Sequence, residues 1–205
     1  MTYLSKTFAI SALLIGVLGI SGCDQKSEAS PENYRVAIQK ALDLRPAICV
    51  PLPEAALPFD EPIEKNWGSG NYQRAQALTA TGLLTSAKTR IPLQVDKSVT
   101  VEGERFTLTE LGKKYFVPAE VAISHPEFCG GKRKVRDITS FTAAAGKGLG
   151  SQVLVVYSYD VTDAPAWAAS PALRKIYVAD LQPSSQTMNT QALLELTRDG
   201  WIVTQ

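Results

Sequence analysis

The chain has 205 residues, with 21 Lys and Arg against 20 Asp and Glu and a single His. That length allows one ample domain or two small ones, and the balanced charge gives neither the basic surplus of a nucleic-acid binder nor an acidic tail. A hydrophobic content of 45% is ordinary for a globular protein.

The first element is an address. Lys6 precedes an uncharged apolar run, Thr7–Gly19, and small residues follow at Ser21 and Gly22, the pattern of a secretory signal peptide over 1–22. The run is too short to cross a bilayer, which takes about 20 apolar residues, and Asp24-Gln25-Lys26 ends it. Ile20-Ser21-Gly22-Cys23 resembles the lipobox of bacterial lipoproteins: an aliphatic residue, two small ones, then the thiol that accepts the lipid. The resemblance implies cleavage before Cys23, acylation of Cys23, and attachment to a membrane on the side facing the periplasm. Asp24 resembles the sorting signal that retains lipoproteins in the inner membrane, which favours that membrane over the outer one. Residues 23–30 then form a polar tether that reaches at most about 28 Å when extended.

With Cys23 taken by lipid, Cys49 and Cys129 remain. Two thiols in an oxidising compartment most simply form a disulfide. The bridge would add roughly 4 kcal/mol of stability in the chain-entropy model.

From 31 to 117 the signals are mainly helical. Ser30-Pro31-Glu32 offers a hydroxyl cap, a Pro at the first helical position and an acid in the first turn. Tyr34, Ile38, Ala41 and Leu42 then recur at helical spacing until Arg45-Pro46. The Pro-rich stretch 48–62 reads as an irregular surface connector that contains Cys49. A helix over 72–84, ended near Gly82, precedes strands over 86–95 and 98–108 and a new helix over 109–115. This order, closed by FTLTELGKKYF, resembles a winged-helix module over 72–116. Such modules often bind DNA through the helix before the wing. Here that helix has Arg74 as its only basic residue, and phosphate contacts dominate DNA affinity. No nucleic acid is expected, and the module reads as a scaffold for packing or protein contact.

From 118 to 205 the pattern is antiparallel. Strands over 134–142 and 151–161 flank the Gly-rich AAAGKGLG, and Val153, Val155, Tyr157, Tyr159 and Val161 alternate onto one face. Residues 163–177 read as a turn and a short helix. Strands over 191–197 and 201–204 flank Arg198-Asp199-Gly200, where Asp-Gly supplies the positive φ angles of a tight hairpin. The fold class is therefore α+β, with Trp167, Trp201, Tyr157 and Tyr159 in the core of the C-terminal sheet.

Candidate chemistry is sparse. His125 and Cys129 suggest a thiol nucleophile or metal ligands, but no further ligand pattern accompanies them. Gly146–Gly150 lacks the spacing of a phosphate loop, and Gly68-Ser69-Gly70 is not a nucleophile elbow. Asp60-Glu61 is the one carboxylate pair, with nothing in the sequence to divide acid from base. Lys132-Arg133-Lys134 and Arg136 read as a solvated strand edge, with contact to anionic headgroups as the functional alternative. No catalytic, cofactor-binding or metal-ligating residue is assigned.

Taken together, the lipobox, LTELGKKY, FCGGK, VVYSYDVTDAPAWA and LTRDGW resemble small uncharacterised lipoproteins of Gram-negative bacteria. The expected role is a non-catalytic, membrane-tethered module that binds an envelope protein or another envelope component. The alternatives are an immunity or resistance lipoprotein, and an envelope hydrolase or transferase with a site assembled from distant segments.

Overall fold

The computed structural model describes residues 26–63, 70–93, 95–121, 124–181 and 187–204. Cys23, Asp24, the signal segment and Gly68-Ser69 lie outside them. Among the described residues, four short helices and ten strands form an α+β fold with three antiparallel sheets. Among the described residues, no helix is long and apolar enough to cross a membrane.

Helix α1 (Pro31–Leu42) begins as the sequence predicts, with Asn33 N–H donating to the Ser30 hydroxyl (3.4 Å). Its buried face, Tyr34, Ala37 and Ile38, lies against a four-stranded sheet in the order β10 (Gly200–Val203), β9 (Met188–Thr197), β8 (Gln152–Thr162), β7 (Lys132–Phe141). The sheet curls round α1 as a half-barrel. Two register shifts in β7, around Arg136 and Thr139, supply the bend. Tyr34 is 1% exposed and meets Phe141 and Trp201 edge-on, each at 5.2 Å, so one ring closes the barrel from both edge strands.

The free edge of β7 is covered by side chains of α1. The Gln39 carboxamide donates to Arg133 O (2.9 Å) and accepts from Val135 N–H (2.8 Å), as a residue of a neighbouring strand would. Arg35 donates to Arg136 O (2.7 Å), the carbonyl at the first bulge. An edge strand with its polar groups paired no longer offers a template for another chain.

The second core is built by the rest of the chain. A three-stranded sheet, β1 (Ile48–Pro51), β6 (Glu127–Gly130) and β5 (Phe116–Val117), turns Ile48, Val50 and Phe128 inward. Helix α2 (Asn71–Ala80) and helix α4 (Pro171–Ile176) pack on this core. A further sheet, β2 (Phe59–Pro62), β4 (Thr100–Leu108), β3 (Leu84–Pro92), adds Phe59, Leu84 and Phe106. The stretch 48–62 is therefore not a surface connector. Ile48, Val50, Leu52 and Phe59 are buried, and Pro51 and Pro62 sit at the ends of short edge strands, where a missing N–H is tolerated.

The helix–hairpin–helix order over 71–115 is present, completed by α3 (Glu110–Tyr115). The Thr109 hydroxyl accepts from Gly112 N–H (2.9 Å) and donates to Gly82 O (2.6 Å), and a side chain at Gly112 would collide with Leu83 O. A winged-helix core needs three helices against the wing. Here α1 packs on the half-barrel, and no clear winged-helix segment is seen among the described residues.

Two details of the C-terminal sheet also differ from expectation. Tyr157 and Trp201 are buried in the half-barrel and Tyr159 packs partly there, but Trp167 joins the other core, edge-on to Tyr115 at 5.8 Å. The short 3-10 helix that follows β8 (Ala166–Ala169) packs beside α4 and puts Trp167 into the other core. In the β9–β10 turn, Gly200 alone has positive φ (+105°), and Asp199 does not.

Truncating Tyr34→Ala should cost about 3–5 kcal/mol, and Gln39→Ala about 1–3 kcal/mol through its two edge hydrogen bonds. Urea unfolding of each variant measures both. A Gln39→Ala variant as stable as the parent would show that the edge contacts contribute nothing net.

Candidate functional site

Strand alternation decides what the small sheet shows to solvent. In β1 and β6 the even residues Ile48, Val50 and Phe128 face the core, so Cys49, Pro51, Glu127 and Cys129 face outward. Cys49 and Cys129 lie directly opposite each other in register and are bonded, as the cysteine count predicts. Their disulfide lies in the wall of a cleft of about 790 Å³. The other walls come from Leu44-Arg45-Pro46, from Arg74 at the first turn of α2, from 117–121 and from Arg133 at the start of β7.

Half of the cleft's lining is apolar, and its charged groups are Arg45, Arg74 and Arg133 against Glu120 and Glu127. Arg133 donates to Ala47 O (3.1 Å). Arg45 and Arg74 are exposed, and their guanidinium groups make no hydrogen bond or ion pair among the described residues, although the Arg74 charge acts on the Tyr177 hydroxyl. His125 lines the same cleft. Its Nδ1 lies 3.0 Å from Leu52 O, and since a carbonyl can only accept, Nδ1 carries the proton and Nε2 is left to face other groups. Glu120 and Glu127 are the acids present.

Cys49, Cys129 and Glu127 bring two sulfurs and a carboxylate within 4.8 Å of one another. A metal needs thiolates, and joined sulfurs offer none. For the same reason the 3.6 Å approach of Glu127 Oε2 to Cys129 Sγ is a contact without a shared proton. A thiol nucleophile at Cys129 is likewise closed while the bond stands.

A second polar feature lies under α2 and outside the cleft. Glu61, 6% exposed, faces inward from β2. Burial, then its hydrogen bond with Glu54, pushes its carboxyl up to about 7. Asn71 donates to Glu54 (2.7 Å), tying this pair to the start of α2. On the opposite face Asp60 accepts two bonds from the Arg105 guanidinium (2.7 and 2.8 Å), which hold its carboxyl below the usual range. Environment therefore does divide Asp60 from Glu61, correcting the sequence expectation. Alternation sends them to opposite sides of one strand, so they cannot act on one substrate. The Glu54–Glu61 pairing is what sequence reading missed, and the Pro-rich spacer between the two residues concealed it.

The Gly-rich loop 143–150 joins β7 to β8 as a hairpin connection, and Lys132–Arg136 occupies the β7 edge beside α1. Neither contributes to the cleft except through Arg133.

Two outcomes follow for the purified protein. Reducing the Cys49–Cys129 bridge should lower the melting temperature by roughly 5–15 °C, from about 2–4 kcal/mol of lost stabilisation. Calorimetry with and without a dithiol reductant measures it, and Cys49→Ser/Cys129→Ser should melt like the reduced protein. Glu61 binds its proton more tightly folded than unfolded, because its ordinary value is 4.5. Its contribution is present below pH 4.5 and lost as pH rises through about 7, so the urea midpoint should fall across that window. Glu61→Gln should flatten the fall. A midpoint that rises equally in both proteins would refute this assignment.

Comparison of the chain with family models, curated proteins and solved structures gives no match, so the reading of the cleft rests on its geometry and chemistry.

Proposed function

We propose that the protein is a lipid-anchored periplasmic module that binds an anionic envelope component, or an envelope protein presenting acidic groups, in the cleft beside the disulfide. The observation that carries this reading is the cleft itself. It is about 790 Å³ and shows the guanidinium groups of Arg45 and Arg74, neither of which makes a hydrogen bond or ion pair among the described residues. Guanidinium forks match carboxylate and phosphate geometry, and prolines at 46, 51, 53 and 118 stiffen the walls that hold them. Catalysis is less well supported, because the carboxyl pair with a shifted pKa lies outside this cleft. The helix–hairpin–helix segment over 71–115 serves as scaffold, with α2 supplying Arg74.

The lipid on Cys23 and the sorting role of Asp24 belong to this proposal, as does an inner-membrane location. The disulfide is consistent with an oxidising compartment. The cleft and the described N-terminal segment, residues 26–30, lie at opposite ends of α1. Tyr34 at its start meets Phe141 and Trp201, whereas Gln39 meets Arg133, and the cleft-lining Leu44 and Arg45 follow its last turn. Twelve helical residues separate the ends by about 18 Å. The bound partner therefore approaches from the periplasmic side.

In-cell crosslinking with mass spectrometry tests this. The parent should capture a defined envelope partner, and Arg45→Glu/Arg74→Glu should lose it by roughly tenfold or more at each position while staying folded and anchored. Cys23→Ala, exported and folded, should lose the partner or the phenotype. Full activity without the anchor, and no captured partner, would favour a diffusible ligand or an enzyme instead.

A further inference from the structure

The end of the half-barrel opposite the cleft carries a loop that is both pinned and exposed. Ala145 exchanges two backbone bonds with Gln152, Gly150 N–H donates to Leu196 O (2.8 Å), and the Ser151 hydroxyl donates to Gly148 O (2.6 Å). Gly146, Gly148 and Gly150 take φ of +95°, +76° and +83°, which other residues rarely adopt. Between the last two stands Leu149, 61% exposed, with Phe141 44% exposed at the base of the loop. A fixed loop that holds a leucine out in water has already met its ordering cost, so an apolar surface can receive the side chain directly.

The N-terminal segment arrives at this same end. The Lys26 carbonyl lies 3.1 Å from where a side chain on Gly200 would begin, and Glu28 O accepts from Trp201 Nε1 (3.1 Å) and Asn33 Nδ2 (2.9 Å). Residues 26–30 are thus held on the domain, and only residues 24 and 25 separate them from Cys23. Lys26 is then within about 11 Å of Cys23. The exposed cations at this end are Lys26, Lys147 and Arg198, and the exposed acids are Glu28, Asp199 and Glu32 in the first turn of α1, which lies 4.0 Å from Arg35.

We propose that this end of the half-barrel rests on an anionic phospholipid surface, with Leu149 inserted at the interface and Lys147, Arg198 and Lys26 among the headgroups. The inference rests on the reading of Cys23 as lipidated. Basic groups near a lipid anchor add to its hold on anionic leaflets. The Lys132–Arg136 run starts at the other end of the barrel and takes no part. The domain therefore stands on the bilayer in a fixed orientation and does not swing on a loose tether.

The test uses the full lipidated chain in vesicles of phosphatidylethanolamine and phosphatidylglycerol, with and without bromine-labelled acyl chains. Leu149→Trp should show a blue-shifted emission that brominated lipid quenches beyond the parent's own signal. Val178→Trp, an exposed position beyond α4, should not. Lys147→Glu/Arg198→Glu in the Leu149→Trp background should remove the added quenching. Mass spectrometry of the N-terminal peptide from the same sample reports the lipid. A lipidated Cys23 with no quenching at position 149, or with equal quenching at 178, overturns the contact while the anchor stands. Quenching indifferent to the charge reversals overturns the anionic part, and an unmodified Cys23 overturns both readings.

Discussion

The structure depends on α1 closing an open sheet. A four-stranded antiparallel sheet has two bare edges and one apolar face, and a single short helix satisfies much of that need here. Tyr34 bridges the edge strands by touching Phe141 and Trp201, while Gln39 and Arg35 pair the backbone of β7. The bulges of β7 are the sheet's half of the fit, since a flat strand would not bring its edge to the helix. Because α1 is fixed at one end by these rings and leads at the other into β1, it also sets the distance between the N-terminal segment and the cleft.

Local signals are legible in the sequence. Ser30-Pro31-Glu32 starts α1, Gly82 lies just past α2, a short helix follows the second hairpin strand near 109–115, and alternation from Val153 marks β8. These follow from caps, glycine φ angles and side-chain period, each confined to a few residues. What was not legible was partnership over long separations. The spacing of Tyr34 and Ile38 shows an apolar face but not that it belongs with Trp201. Trp167 looks like a sheet residue because it follows a strand, yet the turn at Asp163, with φ of +53°, begins the chain's return to the other core. The Pro-rich stretch misled for a related reason: prolines mark loops in general, and edge strands tolerate them at their ends.

The candidate site was half visible. Two cysteines left over from the lipobox pointed to a bridge, and the bridge is there. The cleft around it draws Arg45, Arg74 and Arg133 from three separate elements, and none of these stands out by sequence neighbourhood. Strand alternation governs the chemistry in both places. It turns Cys49 and Glu127 outward into one cleft, and it parts Asp60 from Glu61 so thoroughly that the carboxyls of two sequence neighbours are shifted in opposite directions on opposite faces.

The contact between the first and last parts of the fold has a temporal consequence. Glu28 and Trp201 are 173 residues apart, and α1 cannot bury its whole apolar face until β10 joins β7 and β8 around it. A chain made from its N-terminus therefore carries α1 for most of its synthesis as an unpartnered amphipathic segment, too short to hold helical form alone. Cys49 likewise waits as a free thiol for Cys129. Folding of this kind is governed by long-range closure, which is slow and leaves apolar surface open to other chains meanwhile. The seat of α1 is the last part of the molecule to be completed and the part most dependent on the nascent chain being shielded until then.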